Sequence, residues 1–252
     1  MAVDETLLES CAAGAHPTVP TLRLYSWRPA ALSLGRFQCS NGAYDAAYLR
    51  EHGIDLVRRP TGGMAVLHEY ERTYAVIAPL RSPPFSGSVR EIYAKIARAL
   101  RLALRRLGLD ARALVGQAAP GPGRRRDADT ACFGSRSNHE ISVDGRKLVG
   151  SAQLRRRSAF LQHGSILLQA DPARLAQAIG LVAPPAGYTD LYRALGRHAV
   201  PSEVDRVLVD AFSETFSAEM DAEELTPREA QQAERLRSQK YHSREWTLAG
   251  RD

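Results

Sequence analysis

The chain has 252 residues, 44% of them apolar, so it is long enough to bury a hydrophobic core. It contains no run of about 18 uncharged apolar residues, and its first residues, MAVDETLLES, lack the basic start and apolar stretch of a secretion signal. These features exclude a membrane-spanning helix and predict a soluble cytoplasmic protein. The net charge of +6, with arginine clusters at 124–126 and 155–157, is typical of solvated surface and leaves open a phosphate-bearing or acidic partner.

The cysteines are Cys11, Cys39 and Cys132. Three is an odd number, and the spacing matches no metal-binding pattern, so the sequence predicts neither a disulfide framework nor a metal site. Each thiol is expected to be free. Most free cysteines are buried as small apolar residues, and only a few act as nucleophiles.

The predicted elements begin with an amphipathic helix over the first dozen residues. Strand-like alternation follows in TLRLYSW (21–27) and continues in ALSLG (31–35). A short helix near 44–53 stops at Gly53, a common glycine position after a helix. IDLVRR (54–59) and TYAVIAPL (73–80) are predicted strands that flank a segment rich in glycine and arginine.

Further along, Ser88 and Glu91 have the spacing of a capping box and predict the start of a long helix that Gly108 ends. Residues 116–131, rich in glycine, proline and charge, are predicted to form a mobile loop. A β-hairpin is expected around the dipeptide Asp144-Gly145, which suits a type I′ turn, and AFLQHGSILL (159–168) predicts another strand.

Helical patterns dominate residues 171–252, with predicted starts at Asp171-Pro172 and Thr226-Pro227. Strands therefore cluster before residue 169 and helices after it. This order favours the α+β class over an alternating parallel sheet, and we expect one catalytic domain spanning residues 1–252.

The first segment that could carry chemistry is RRPTGGMAVLH, residues 58–68. Its paired glycines, Gly62 and Gly63, could serve a tight turn beside two surface arginines, and by themselves they favour that interpretation. Glycines of this kind also let a ligand approach the backbone closely. The segment alone does not decide between the two.

A second segment holds Cys132, a lysine on a predicted hairpin strand (Lys147), the small residues Gly150-Ser151-Ala152, and then His163-Gly164-Ser165. In their order and spacing the two segments resemble the RR-x-[ST]-GG-x-AV-x-H, G-[KR]-K-x-x-GSA and HG-[ST] motifs of the lipoate-protein ligase and octanoyltransferase superfamily. The nearest resemblance is to its cysteine-dependent, LipM-type octanoyltransferases. LSLGRFQ and the carboxy-terminal residues 225–246 extend the resemblance over nearly the whole chain.

The resemblance implies a mixed, largely antiparallel sheet flanked by helices, as in the catalytic domain of biotin and lipoate ligases. It also implies that the glycine segment lines a tunnel for an eight-carbon acyl chain. The substrate-binding residues it implies are Arg59, Thr61, Gly62, Gly63, Ala65, His68, Gly150, Ser151, Ala152, His163 and Gly164. For His68, a purely structural role is as well supported as a direct one.

The implied catalytic pair is Cys132 and Lys147, since family members place a lysine fifteen positions after the cysteine, as here. A free thiol with a pKa of about 8.5 is mostly protonated at neutral pH, so a nearby ammonium group would raise the fraction of reactive thiolate. The same ammonium could stabilise the oxyanion of a tetrahedral intermediate, with the backbone N–H groups around Gly150-Ser151-Ala152 as further donors.

The resemblance thus implies an acyltransferase in lipoate biosynthesis. The octanoyl group would pass from octanoyl-acyl carrier protein to Cys132 and then to a lysine of a lipoyl carrier domain, such as the glycine cleavage H protein or an E2 subunit. The expectation includes no cofactor, no metal, no nucleic acid, no membrane and a monomeric state. It also includes residues 116–131 as a lid and the two arginine clusters as contacts for an acidic carrier protein.

Four alternatives remain open at this point. The chain could be a lipoate-protein ligase that uses ATP to form lipoyl-adenylate, or an amidotransferase that moves octanoyl between carrier domains. It could also be a non-catalytic binding module for a carrier protein, or a basic nucleic-acid binder whose affinity falls steeply with salt.

Overall fold

A computed structural model describes residues 1–14, 19–81, 83–109 and 141–250. Cys132, the arginine cluster at 124–126 and the predicted loop at 116–131 lie outside the described residues. The strands are β1 (Thr21–Tyr25), β2 (Ala31–Leu34), β3 (Asp55–Arg58), β4 (Val66–His68), β5 (Glu71–Pro79), β6 (Ile141–Val143), β7 (Arg146–Arg156) and β8 (Ala159–Leu167). The helices are α1 (Ala2–Ala12), α2 (Ala46–Glu51), α3 (Val89–Arg106), α4 (Pro172–Ala178), α5 (Leu191–Leu195), α6 (Pro201–Phe216) and α7 (Pro227–Leu236).

The larger sheet has five antiparallel strands in the order β1-β5-β8-β7-β6. Helices α3 and α6 pack on one face of this sheet and enclose the main apolar core. Helix α1 packs on the other face, against β5 and β8. The sheet therefore has one face wholly devoted to the core and a second face shared between α1 and other parts of the chain.

The smaller sheet has three strands in the order β3-β2-β4, with β2 parallel to β3 and antiparallel to β4. Its apolar residues pack with α2 and α4 in a separate core. The α+β class and the largely antiparallel sheet are thus confirmed, and the strands are divided between two sheets.

Several local predictions are confirmed where a cap or turn determines the element. Ser88 and Glu91 form the predicted capping box of α3, and Thr226 and Glu229 form one at α7. Asp144 and Gly145 both have positive φ, as a type I′ turn between β6 and β7 requires.

The two strands predicted to flank the glycine segment are present as β3 and β5, and they lie in different sheets, β3 in the smaller one and β5 in the larger one. The segment also contains a strand of its own, β4, which pairs with β2. The glycine segment is therefore a link between two sheets rather than a hairpin turn.

The chain after α7 continues as two π-helical turns, Arg237–Tyr241 and Glu245–Ala249. Helix α7 packs against α1, and the last π-helical turn packs against β3. Within the ranges described, no helix combines the length and the apolar character that crossing a bilayer requires.

Candidate active site

A cleft lies where β4 of the smaller sheet faces β5, β7 and β8 of the larger sheet. Its empty volume, including the open mouth, is about 400 Å³. It is lined by Met1, Tyr25, Trp27, Arg59, Val66, His68, Thr73, Gly150, Ser151, Ala152, His163, Gly164 and Ser165. We call this cleft the acyl pocket, after the acyl chain that the sequence resemblance implies.

Seven of the eleven predicted substrate-binding residues line this pocket, namely Arg59, His68, Gly150, Ser151, Ala152, His163 and Gly164. Thr61 lies behind the wall and contacts His163. Gly62 and Gly63 follow Thr61 on the link, outside the lining. Ala65 is fully buried in the core of the smaller sheet, so packing in that core explains its small side chain.

Arg58, the first arginine of the glycine segment, is 1% exposed and serves the backbone. Its guanidinium donates to the carbonyls of residues 35, 36 and 38 and to those of residues 246, 247 and 248. In return, the Trp246 indole donates to the carbonyl of Arg58 at 2.8 Å. The interpretation of this arginine as a surface residue is wrong, since it joins β3 to the carboxy-terminal turn.

Arg59 holds the shape of the link itself. It donates to the carbonyls of Gly62 (2.9 Å) and Met64 (2.7 Å) and to both the carbonyl and the hydroxyl of Ser33. Gly63 has a φ of +97°, a conformation that favours glycine. A Cβ on Gly35 would lie 1.8 Å from the carbonyl oxygen of Gly63, so the link passes in direct contact with the end of β2.

His68 is buried in the pocket wall, and both of its ring nitrogens are bonded within the chain. Nε2 lies 2.8 Å from the hydroxyl of Ser33, and Nδ1 lies 2.8 Å from Glu71 Oε1. The Ser33 hydroxyl also accepts from Arg59 at 3.0 Å, so the His68 ring is joined both to the smaller sheet and to the buried Glu71. The ring face stacks on Trp27, with centroids 4.2 Å apart.

The Ser33–His68–Glu71 order has the spacing of a hydrolase triad, but it lacks an accessible nucleophile. Ser33 is 0% exposed and does not line the pocket. A hydroxyl that is sealed from substrate cannot attack it. The arrangement therefore fixes the His68 ring, which favours the structural role for this histidine.

Glu71 is the buried carboxylate behind this wall. Its Oε1 also accepts from the hydroxyl of Thr73, which in turn accepts from the Trp27 indole at 2.9 Å. Burial would raise the pKa of Glu71, but the attraction of His68 and the hydrogen bonds from His68, Ser165 and Thr73 bring it below its ordinary value. Glu71 is therefore ionised at neutral pH and orients both aromatic rings of the wall.

His163 lies on β8, in the opposite wall. Its Nε2 is 2.6 Å from the hydroxyl of Thr61, and its Nδ1 is 3.7 Å from a carboxylate oxygen of Asp4 on α1. Burial lowers the pKa of His163, and the nearby Asp4 offsets this only in part. The ring is therefore neutral at physiological pH and ties the link to the larger sheet.

Gly164 is a glycine because its neighbours leave no room for a side chain. A Cβ there would lie 2.4 Å from the carbonyl oxygen of Gly150 and 2.7 Å from the Tyr74 ring. Above it, the hydroxyls of Tyr74 and Ser151 form a 2.7 Å hydrogen bond across the strands. The Ser151 side chain thus points to the core face, and only its backbone belongs to the pocket wall.

Lys147, the predicted catalytic lysine, is 2% exposed at the start of β7. Its backbone pairs with residues 187 and 189 through two 2.8 Å hydrogen bonds. The register between β6 and β7 shifts here, so that Leu148 is an extra residue, and both Leu148 and Val149 pack in the main core. Because neighbouring strand residues otherwise alternate, this bulge places Lys147 on the same strand face as Gly150, although Lys147 is not among the residues that line the pocket.

The arginine cluster at 155–157 is partly engaged within the chain. Arg155 donates to the carbonyl of Gly87, and Arg156 forms ion pairs with Glu5 and Glu9 of α1. Arg156 is therefore neutralised within the chain, whereas Arg155 is bonded only to a neutral carbonyl. A carrier-protein contact through the whole cluster is therefore less favoured than the sequence suggested.

Sequence reasoning missed five residues that organise the wall, namely Tyr25, Trp27, Ser33, Glu71 and Thr73, and it named Ser165 only as part of a motif. The alternation in 21–27 placed Tyr25 and Trp27 on one strand face, which was a usable signal. Glu71 begins β5, before the apolar part of that strand, and its charge next to a buried run was the other available signal.

The pocket wall is largely apolar in character, because its polar side chains bond to one another. A wall of this kind suits a hydrocarbon chain, because most of the surface that it offers is apolar. Within the described ranges, no group of His, Cys, Asp and Glu is arranged to hold a metal ion.

Comparison with known proteins agrees with these features. The model of the lipoyl protein ligase A/B catalytic domain matches residues 1–213. Octanoyltransferase LipM of Kyrpidia tusciae is 42% identical, over 98% of this chain and 92% of its own length. Octanoyltransferase LipM of Carboxydothermus hydrogenoformans is 36% identical with the same coverage.

Among solved structures, a bipartite lipoate protein ligase of Thermoplasma acidophilum, analysed with its E2 lipoyl domain, has the same fold. The TM-score is 0.77, with 24% identity, over 100% of this chain and 91% of the other. The family model covers most of the sequence, and curated relatives align along nearly all of it. The chain therefore belongs to the lipoyl protein ligase A/B catalytic-domain family.

Proposed function

We propose that this chain is an octanoyltransferase that moves an octanoyl group from octanoyl-acyl carrier protein to a lysine of a lipoyl carrier domain, through a thioester on Cys132. The observation that carries the proposal is the near-full-length match to octanoyltransferases named LipM, at 42% identity over 98% of the chain. As an acyltransferase, the chain would need a pocket for the acyl group and a nucleophile that accepts it.

The acyl pocket supports the first requirement. Its wall is built from aromatic rings, the apolar side chains of Met1, Val66 and Ala152, and strand backbone, and both ring nitrogens of His68 are bonded within the chain. The wall is also rigid, because Glu71 fixes the two stacked rings of Trp27 and His68. A preformed apolar cleft binds a saturated chain without first reorganising.

Cys132 supplies the nucleophile in the proposed reaction. Its thiolate attacks the carbonyl carbon of the donor thioester, and collapse of the tetrahedral intermediate breaks the bond to the carrier thiol, which leaves and takes up a proton. The amine of the acceptor lysine then attacks the new thioester, loses a proton and expels the Cys132 thiolate. The second step forms an amide from a thioester, so the sequence of steps needs no ATP.

Lys147 supplies the positive charge in this proposal. It is buried, its backbone is fixed by residues 187 and 189, and the β-bulge turns it to the face of the pocket. An ammonium group in such a place stabilises both a thiolate and the oxyanion of the intermediate. The acceptor is inferred from the E2 lipoyl domain studied with the Thermoplasma acidophilum ligase.

The test is to incubate the protein with octanoyl-acyl carrier protein without ATP and to measure its intact mass. The expected result is the gain of one octanoyl group, which hydroxylamine removes and which peptide mapping places on Cys132. Cys39→Ala is the matched control, because Cys39 is exposed and would be the first thiol to react without selectivity. Cys132→Ala should lose the adduct and Cys39→Ala should keep it.

Two outcomes would overturn the proposal. A Cys132→Ala variant that still modifies the acceptor would exclude the thioester route. Modification of the acceptor only by free octanoate or lipoate with ATP would establish the ligase activity that the fold also supports.

A further inference from the structure

Helix α1 closes one end of the acyl pocket. Met1, which precedes the helix, is among the lining residues. Asp4 of α1 is fully buried and accepts a 2.8 Å hydrogen bond from the hydroxyl of Tyr25. A carboxylate oxygen of Asp4 also lies 3.7 Å from His163 Nδ1. Because Tyr25 and His163 both line the pocket, the position of α1 determines the shape of this end.

The α1 end of the pocket is the end farther from Lys147. Ala152 is the residue of β7 that pairs with His163. Lys147 precedes Gly150 and Ala152 on β7, and a strand rises about 3.3 Å per residue, so Ala152 lies about 7 Å farther along the strand than Gly150. In the proposed reaction the thioester is held near Lys147, so the methyl end of the acyl chain points toward α1.

Glu5, which follows Asp4 on α1, is a buried carboxylate on which three side chains converge. It is 1% exposed. Lys240 Nζ lies 3.0 Å and Arg156 Nη2 lies 3.2 Å from its Oε1, and the Tyr241 hydroxyl donates to its Oε2 at 2.6 Å. Burial and the Glu5 carboxylate raise the pKa of Tyr241 well above its ordinary value, so this hydroxyl keeps the proton that it donates. Since a buried carboxylate is stable only with close partners of this kind, these contacts fix α1 in place.

Lys240 also contacts the carboxy-terminal turn that holds the smaller sheet. Its Nζ lies 3.9 Å from the centroid of the Trp246 ring, a cation–π contact. The Trp246 indole in turn donates to the carbonyl of Arg58, at the end of β3. A single side chain therefore joins α1, which closes the pocket, to the turn that is bonded to the smaller sheet.

Lys240 is the better buried of the two cations that pair with Glu5. Its side chain is 12% exposed, whereas that of Arg156 is 36% exposed and also pairs with Glu9 at 3.6 Å. Solvent and salt weaken an exposed ion pair more than a buried one. Lys240 is therefore expected to contribute more than Arg156 to the position of α1.

We propose that Lys240 is a positioning residue that fixes the α1 end of the acyl pocket and thereby limits the length of the acyl chain that the pocket accepts. The proposal rests on the proposed function for the presence of an acyl chain. Lys240 is not one of the described residues that line the pocket, so it acts through Glu5 and α1 rather than by touching the chain. Without its charge, α1 is held less firmly, and Met1 yields to a longer chain.

The test compares acyl chains of two lengths on variants of the carboxy-terminal segment. Lys240→Met keeps an apolar stem against Trp246 but removes the charge, and Lys240→Arg keeps the charge. Arg244→Met is the matched control, because Arg244 is an exposed cation of the same segment. The second-order rate constant of acyl-enzyme formation is measured with octanoyl- and decanoyl-acyl carrier protein. The ratio of the two constants does not depend on the folded fraction, so a loss of stability alone leaves it unchanged.

The decanoyl-to-octanoyl ratio of Lys240→Met is expected to rise about tenfold, since the fit of one methylene in an apolar pocket is worth that much discrimination or more. Lys240→Arg should keep the wild-type ratio, because a guanidinium group also pairs with a carboxylate and stacks on an indole ring. Arg244→Met should keep the wild-type ratio as well.

An unchanged ratio in Lys240→Met would overturn the proposal, and so would an equal rise in Arg244→Met. A rise of the same size in Lys240→Arg would show that the charge does not position α1, and would overturn it too.

Binding of free octanoate and decanoate, measured by isothermal titration calorimetry, tests the same preference without the reaction at Cys132. The ratio of the two affinities should shift toward decanoate in Lys240→Met, and an unshifted ratio would contradict the proposal. Failure of the wild-type protein to form any acyl-enzyme would instead contradict the proposed function, so the two failures are distinguishable.

Discussion

The wall that the smaller sheet gives to the acyl pocket and the wall that the larger sheet gives are held by different interactions. The first, with Arg59 and His68, depends on buried charges, since Arg58, Arg59 and Glu71 fix its backbone and rings. The second, with His163 and Gly164, depends on neutral hydrogen bonds and on direct contact between β7 and β8. The first wall should therefore fail when a charge is removed, and the second when a volume is added.

The largest expected effect is on the charged side. Arg58→Met fills a similar space but leaves the carbonyls of two separate chain segments without a donor. The free energy of unfolding should fall by about 4 kcal/mol, because buried acceptors left unpaired cost more than the bonds contribute. Urea denaturation followed by circular dichroism measures this.

Arg90→Met is the control for this substitution. Arg90 is exposed in the first turn of α3, and its change should stay within about 0.5 kcal/mol of the wild type. Equal losses in the free energy of unfolding for Arg58→Met and Arg90→Met would show that the hydrogen bonds of Arg58 do not stabilise the first wall.

The next effect is steric and belongs to the second wall. Gly164→Ala places a methyl group 2.4 Å from the carbonyl oxygen of Gly150, so β7 and β8 must separate. The free energy of unfolding should fall by about 2 kcal/mol, and formation of the octanoyl-enzyme should be lost as the pocket is distorted. Thermal unfolding and intact-mass measurement on the same sample test both parts.

Gly62→Ala is the contrasting variant on the link. Its Cβ would meet only the Phe37 ring, at 4.0 Å, so the stability should change by less than about 0.5 kcal/mol. A stable Gly62→Ala protein with an impaired octanoyl-enzyme step would support passage of the acyl chain along the glycines. Normal octanoyl-enzyme formation in Gly62→Ala would show that the acyl chain contacts the residues of the pocket wall and not the glycines of the link.

The smallest expected effect is a difference between the two walls in how the free energy of unfolding depends on pH. The pKa of His163 is lower in the folded protein than its value of about 6.5 in the unfolded chain. Between the folded and the unfolded pKa, the unfolded chain therefore binds more protons than the folded protein. The free energy of unfolding falls as the pH is lowered through this range. The pKa of Glu71 is also lowered, so its contribution is lost only as the pH falls below the unfolded value of about 4.3.

His163→Gln should therefore flatten the stability profile between pH 7.5 and 5.5, by about 1 kcal/mol relative to the wild type, and leave the acid limb intact. Urea midpoints measured across the pH range give the two profiles. Identical slopes in that window for the wild type and the variant would contradict the neutral state assigned to His163.

The parts of the fold that sequence could predict are those that neighbouring residues determine. Ser88 with Glu91, Thr226 with Glu229, and Asp144-Gly145 each specify a cap or a turn within four positions, and each is found as expected. The site motifs also brought His68, His163 and Gly150 to one pocket.

What sequence could not predict depends on contacts between distant residues. Arg58 looked like surface because its acceptor Trp246 lies 188 positions away. The role of Glu71 was not predicted, because its partners His68 and Thr73 come together only when β4 and β5 pack in the fold. The direction of Lys147 depends on a one-residue shift between β6 and β7, which alternation alone cannot reveal.

The central claim is that an acyl group bound to Cys132 is a competent intermediate, and one measurement addresses it directly. Octanoyl-enzyme is freed of donor by gel filtration and mixed with a lipoyl domain in the absence of ATP, and the masses of both proteins are followed in time. The account predicts that octanoyl leaves the enzyme and appears on the acceptor lysine in equal amounts and at the same rate. Stable octanoyl-enzyme beside an unmodified acceptor would contradict it.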